Sequence, residues 1–187
     1  KQNTFDDFIA AAEYLVANKY TKPNNIVAMG GSNGGLVVGA AMTQRPDLFK
    51  VVVARAGLFD MLRYNQYNIG YVWKEEYGNA KDSLDFVNLK HYSPYHNVKK
   101  GINYPATLLV ASSLDDRVNP FHSFKFLSQL QEKGTGENPC ILYYIEKVGH
   151  SGSPVWENRK ESEAFVYSFI FDKLGMNKRI YFNFYDE

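Results

Sequence analysis

Four short runs of continuous apolar residues punctuate the chain: residues 26–29 (Ile-Val-Ala-Met), 51–54 (Val-Val-Val-Ala), 106–111 (Ala-Thr-Leu-Leu-Val-Ala) and 141–145 (Ile-Leu-Tyr-Tyr-Ile). Each is short for a helix and lacks polar alternation, the signature of a strand covered on both faces. Helical spacing fills the gaps. Residues 8–16 form an Ala-rich apolar stretch, with Thr4 placed as N-cap and Asp7 in the acidic position of a capping box. Residues 36–42 predict a buried helix closed by Arg45-Pro46. Residues 121–133 set Phe121, Phe124, Leu127 and Leu130 on one face and stop at Gly134. Residues 157–174 predict a last helix with an apolar stripe of Ala164, Tyr167, Ile170 and Phe171. Residues 58–98 hold no period and predict irregular structure broken at Gly70, Gly78 and Pro94. The alternation in 180–185 is weak, as expected of an added edge segment or a docked terminus.

Strand, helix, strand, helix is the order of a parallel α/β sheet sandwiched between helices. Such sheets place their sites outside the carboxyl ends of the strands. Ser32 follows the first predicted strand, Asp115-Asp116 the third, and His150 the fourth.

Gly30-x-Ser32-x-Gly34 joins a buried strand to a buried helix, the setting of a nucleophile elbow. A turn that tight predicts no bulk two residues either side of the serine. The helix start directs free N–H groups at charge developing beside the hydroxyl, with Asn33 N–H as oxyanion donor. A dinucleotide fingerprint needs G-x-G-x-x-G, and Ser32 occupies its second glycine position; a phosphate loop needs G-K-[ST], which is absent. A serine hydroxyl needs a base, and the base needs an orienting acid. Ser32, Asp115 or Asp116, then His150 is the chain order of the α/β-hydrolase triad. His91, His96 and His122 show no metal-ligand spacing, and His122 at a helix start reads as structural. Asp60, Asp82 and Asp85 follow no core strand and read as solvated or capping residues.

Composition narrows the classes. Lys+Arg is 21 against 20 Asp+Glu, so no net field recruits nucleic acid or an anionic membrane. No apolar run approaches the roughly 18 residues of a spanning helix. The single cysteine, Cys140, has no intrachain partner and reads as a small buried hydrophobe. The length predicts one domain over residues 1–187. The chain opens Lys1-Gln2-Asn3, without Met, and is expected to be an excerpt of a longer protein.

The elbow Gly30-Gly31-Ser32-Asn33-Gly34-Gly35-Leu36 is followed by residues 44–49 (Gln-Arg-Pro-Asp-Leu-Phe), 60–64 (Asp-Met-Leu-Arg-Tyr) and 69–73 (Ile-Gly-Tyr-Val-Trp). Glu76-Tyr77-Gly78, Tyr92-Ser93-Pro94, Asp115-Asp116-Arg117-Val118 and Gly149-His150 continue the series. On these motifs, over nearly its whole length, the sequence resembles the prolyl oligopeptidase family of serine peptidases. The resemblance implies the second half of an α/β-hydrolase catalytic domain, without its first strands or β-propeller. It implies a cofactor- and metal-free endopeptidase that cleaves short peptides on the carboxyl side of proline through an acyl-enzyme. It selects Asp115 as the triad acid with Ser32 and His150. Trp73 would stack on the proline ring, Tyr77 and Val118 would wall the pocket with Leu58 as a further candidate, and Arg117 would hold a substrate carbonyl. A tyrosine oxyanion donor and an H-G-G segment, both expected upstream, are not in this sequence, leaving Asn33 as its one oxyanion donor. Alternatives are an oligopeptidase B-like or dipeptidyl-peptidase-like specificity, or a non-catalytic interaction module with a free sheet edge that dimerises. The expected compartment is cytoplasmic, with the periplasm as alternative.

Overall fold

The structure is a computed structural model that describes residues 1–176; the alternating segment at 180–185 lies outside the described residues. Helix α1 (Gln2–Ala17) precedes β1 (Ile26–Gly31), α2 (Asn33–Gln44) and β2 (Phe49–Arg55). Two 3₁₀ turns (Tyr64–Gln66 and Gly70–Trp73), α3 (Lys74–Tyr77), α4 (Ser83–Tyr92) and α5 (Pro94–Asn97) follow. Then come β3 (Ala106–Ser112), α6 (Phe121–Lys133), β4 (Cys140–Ile145) and α7 (Trp156–Lys173). All four strands pair in parallel in the order β1-β2-β3-β4.

The apolar runs are continuous because both sheet faces are covered. Val52, Ala54 and Leu109 pack with Val38 and Met42 of α2 and Phe126 of α6. Their neighbours Val51, Val53, Leu108 and Val110 pack with Val166, Phe169 and Ile170 of α7. A third cluster lies off the sheet and gathers Phe5, Leu36, Leu58, Tyr64, Tyr77 and Val118.

Several expectations are corrected. Thr4 does not cap α1, which begins a turn earlier at Gln2 and has no side-chain cap. Gln2 Nε2 instead donates to Asp6 Oδ1 and Gln44 Oε1, both at 2.8 Å, and the early start carries Phe5 into full burial. The stripe of α7 is out of phase: Val166, Phe169 and Ile170 face the sheet, while Tyr167 and Phe171 remain exposed. This helix carries apolar residues on two faces, so period alone could not choose between them. Residues 58–98 are not wholly irregular. Asp82 accepts from the amides of Leu84 and Asp85 and starts α4, a helix that buries only Leu89 and Tyr92 and so leaves little periodic signal. Asp60 is neither solvated nor a cap; its side chain is fully buried. Cys140 is half-buried at the start of β4, and burial pushes its thiol up despite Thr107 nearby.

Candidate active site

Ser32 sits between β1 and α2 with φ +56° and ψ −120°, a conformation that L residues resist. Its own amide donates to Arg55 O at 2.8 Å, which anchors the turn to the end of β2. Gly30 is required: a Cβ there would lie 2.3 Å from Gly34 O. Gly34 is not, because a Cβ on it would meet nothing within 4 Å. The second steric demand falls on Gly35, where a Cβ would lie 2.7 Å from Gly57 Cα. Symmetric bulk exclusion around the serine is therefore corrected to one close backbone crossing at Gly30 and one close helix approach at Gly35. The first intrahelical bond of α2 runs from Leu36 N to Ser32 O at 3.2 Å, so the amides of Asn33, Gly34 and Gly35 precede the helical ladder.

Beyond β3, Asp115 is buried and Asp116 exposed, which separates the two aspartates on geometry. Asp115 Oδ1 accepts from Val118 N at 2.8 Å and Arg117 N at 3.0 Å. His150 Nδ1 lies 2.8 Å from Asp115 Oδ2 and 3.0 Å from Oδ1. An ionised carboxylate only accepts, so Nδ1 carries the proton and Nε2 is left as the basic nitrogen. The loops bearing the two residues are zipped together: Ser113 N to Ile145 O at 3.0 Å, Leu114 N to Val148 O at 3.0 Å, and Lys147 N to Ser113 Oγ at 2.7 Å.

Ser32 and His150 line one cavity of about 580 Å³ with Val110, Tyr143 and Trp156. Arg55 also lines it and is paired with Glu163 at 2.7 Å. That contact holds Arg55 above its ordinary value against the effect of burial, and holds Glu163 below its own. Among the described residues no hydrogen bond reaches the Ser32 hydroxyl, so the structure joins the acid to the histidine but does not bond the histidine to the serine.

The expected proline-pocket residues are brought together as a packed cluster, and none of them lines the cavity that holds Ser32 and His150. Leu58, Tyr77 and Val118 are buried in one cluster, with half-buried Trp73 packed against it. Tyr77 OH donates to Asn33 Oδ1 at 2.8 Å, tying this cluster to the residue after Ser32. Burial, with Glu76 and Tyr64 adding to it, pushes the Tyr77 phenol up, so it remains a donor. The Arg117 side chain is exposed and has no hydrogen-bond or ion-pair partner among the described residues.

Sequence reasoning read His122 as structural but missed the polar network it shares with Asp60. Asp60 accepts from Arg63 NH1 at 3.1 Å and pairs with Lys125, while its amide donates to His122 Nδ1 at 3.0 Å. Burial pushes the Asp60 carboxyl up, but Lys125, His96 and Arg63 outweigh it and hold it below the usual carboxylate range. Burial drives His122 down to about 3, so it stands neutral as a structural acceptor. Asn68, also not singled out, donates from Nδ2 to Asp115 O at 2.9 Å. Its only local signal was an Asn before Ile-Gly in a loop. No group of three or more His, Cys, Asp or Glu among the described residues is arranged to hold a metal, and none of their helices is long and apolar enough to cross a membrane.

The chain is 47% identical over 177 residues to the prolyl endopeptidase of Elizabethkingia meningoseptica, covering 94% of this chain and 25% of that one. It therefore spans about a quarter of the length of the curated relatives it matches. A solved prolyl endopeptidase superposes with a TM-score of 0.92 at 47% identity, over 94% of this chain and 26% of that one. Prolyl oligopeptidase B from Galerina marginata, bound to a 35mer hydrolysis and macrocyclization substrate, superposes at 0.89 with 36% identity, over 94% and 25%. Its structures include alanine variants of a serine, an aspartate and a histidine, which follow one another in that chain order. Oligopeptidase B from Leishmania major superposes at 0.88 with 33% identity, over 94% and 24%. The prolyl oligopeptidase family matches residues 1–177, and with an α/β-hydrolase-type sheet carrying a strained serine and an Asp-His pair at its carboxyl edge, this chain belongs to that family.

Proposed function

We propose that this chain carries the nucleophile, acid and base of a serine peptidase that cleaves short peptides on the carboxyl side of proline. The carrying observation is that His150, bound to the buried Asp115, lines one cavity with a serine held at positive φ. Ser32 Oγ attacks the scissile carbonyl as its proton passes to His150 Nε2. Asp115 holds the ring and stabilises the imidazolium. Asn33 N–H, at the start of α2, donates to the oxyanion. His150 then gives the proton to the leaving amine as the C–N bond breaks, and water hydrolyses the acyl-enzyme by the same route. The relatives named prolyl endopeptidase support this chemistry.

Proline specificity rests on Trp73, half-buried against the buried residues Tyr77, Val118 and Leu58, an aromatic and apolar grouping suited to a pyrrolidine ring and hostile to a charge. Oligopeptidase B superposes nearly as well as the prolyl endopeptidase, so this reading assigns the choice of substrate to side chains rather than to the backbone. Arg117, exposed and without a side-chain partner among the described residues, is read as the donor to a substrate carbonyl. The test is fluorophosphonate labelling of Ser32, followed by turnover of proline and arginine peptide esters. Labelling with faster proline turnover supports the reading. Labelling with faster arginine turnover overturns the specificity. A folded chain that does not label favours the inert interaction module.

A further inference from the structure

The pocket segment and the acid turn come from distant parts of the chain, and one side-chain hydrogen bond joins them. Asn68 Nδ2 donates to the main-chain oxygen of Asp115 at 2.9 Å, and among the described residues that oxygen has no other hydrogen-bond partner. Asn68 adopts φ +48°, a conformation Asn tolerates better than most residues. The bend is closed by Gly70 N to Tyr67 O at 3.1 Å.

The unit that Asn68 belongs to is stiff. A Cβ at Gly70 would fall 2.0 Å from Tyr64 O, so the two 3₁₀ turns are packed backbone on backbone. Tyr64 OH donates to Gly78 O, and Asn65 Nδ2 to Asn79 Oδ1 at 3.2 Å, closing the unit across Trp73 and Tyr77. Apart from Asn68, its contact toward the acid turn is apolar: the Tyr67 ring lies 4.3 Å from that of Phe121, centroid to centroid, with the planes 46° apart.

The carbonyl that Asn68 holds belongs to the peptide between Asp115 and Asp116. Fixing that plane fixes ψ of Asp115 and so where the amides of Arg117 and Val118 stand; those amides hold the same carboxylate that meets the ring of His150. We propose that Asn68 is a positioning residue that couples the Trp73 segment to the acid–base pair, so that seating a ring in the pocket and orienting His150 are mechanically linked. The substrate half of this statement rests on the proline-peptidase reading above; the coupling to His150 does not.

The test compares the 187-residue chain with Asn68→Gly and Asn68→Asp. Glycine keeps the backbone conformation and removes the donor; aspartate keeps the shape and turns an oxygen toward the carbonyl. NMR follows the His150 Nδ1–H signal and the titration of its ring, and thermal unfolding identifies any variant that is not folded. In both variants the Nδ1–H signal is expected to weaken and the titration midpoint to move, more in Asn68→Asp. Fluorophosphonate labelling of Ser32 should slow about ten- to a hundredfold, the cost of a misplaced catalytic group. Unchanged His150 signals in either folded variant overturn the proposal. Failure of the unsubstituted chain to label counts against the nucleophile reading alone, and the His150 signals then judge Asn68.

Discussion

The turns that follow β1 and β3 hold Ser32 and Asp115 by opposite means. At Ser32 the backbone is strained and glycine makes room: φ is +56°, and Gly30 lies where any Cβ would strike Gly34 O. At Asp115 the turn is held by its own carboxylate, which accepts two amides and the imidazole, while Asn68 takes the carbonyl. The first device is steric and contains no group that titrates. The second is a hydrogen-bond network, sensitive to which atoms carry protons. A nucleophile has to be lifted clear of its surroundings, whereas an acid has to be surrounded.

The largest expected effect comes from inverting one donor in the second turn. Asp115→Asn keeps an oxygen for the amides of Arg117 and Val118 but points an NH₂ at His150, forcing the wrong tautomer. Fluorophosphonate labelling of Ser32 is expected to slow about 10⁴-fold, as in other triads, with little change in thermal midpoint. A loss below tenfold would show that the acid turn does not orient the base.

Acidification sharpens the contrast next. Burial depresses His122, which accepts from Asp60 N, to about 3 in the folded chain. The unfolded chain therefore binds the proton first. Stability is full above about pH 6.5 and falls toward pH 3, by up to about 1.4 kcal/mol per unit. Burial likewise depresses His96, against the pull of Asp60, and adds in the same direction. Urea unfolding across this range should show a flatter profile for His122→Asn, which retains an acceptor that does not titrate. An identical slope in the variant would remove His122 from the account.

On the steric side, Gly30→Ala places a methyl carbon against rigid backbone and is expected to cost about 3 kcal/mol or more in denaturant unfolding. Gly34→Ala, open on every side, should change stability by less than about 1 kcal/mol. Equal effects at the two positions would refute the asymmetry of the elbow. The smallest change has the opposite sign. Ser32→Gly abolishes labelling and relieves the strained conformation, and after the entropy cost of glycine should stabilise the chain by about 1 kcal/mol.

Much of this arrangement could be read from the sequence, for physical reasons that differ by region. The four strands were legible because each is buried on both faces, which erases alternation and leaves bare apolar runs. Ser32, His150 and the Asp115-Asp116 pair were legible because each follows a strand that those runs already marked, while the choice of Asp115 came only through resemblance. Trp73 and Tyr77 came only through resemblance, since their segment folds as 3₁₀ turns and a four-residue helix without a period. Asp60 was misjudged because Arg63, three residues on, reads equally as a surface pair, and the second partner, Lys125, lies 65 residues away. Asn68 was invisible for a related reason: it acts on a main-chain oxygen 47 residues downstream, which any residue type would supply.

The strands stand side by side in the order in which they occur along the polypeptide. During synthesis each emerging strand meets a neighbour already delivered, and none has to be threaded between two that are in place. The bond between Asp115 and His150, by contrast, waits for the loop beyond the fourth strand. On a ribosome this scaffold would assemble in sequence, and Ser32 would emerge long before His150, the base of the proposed mechanism.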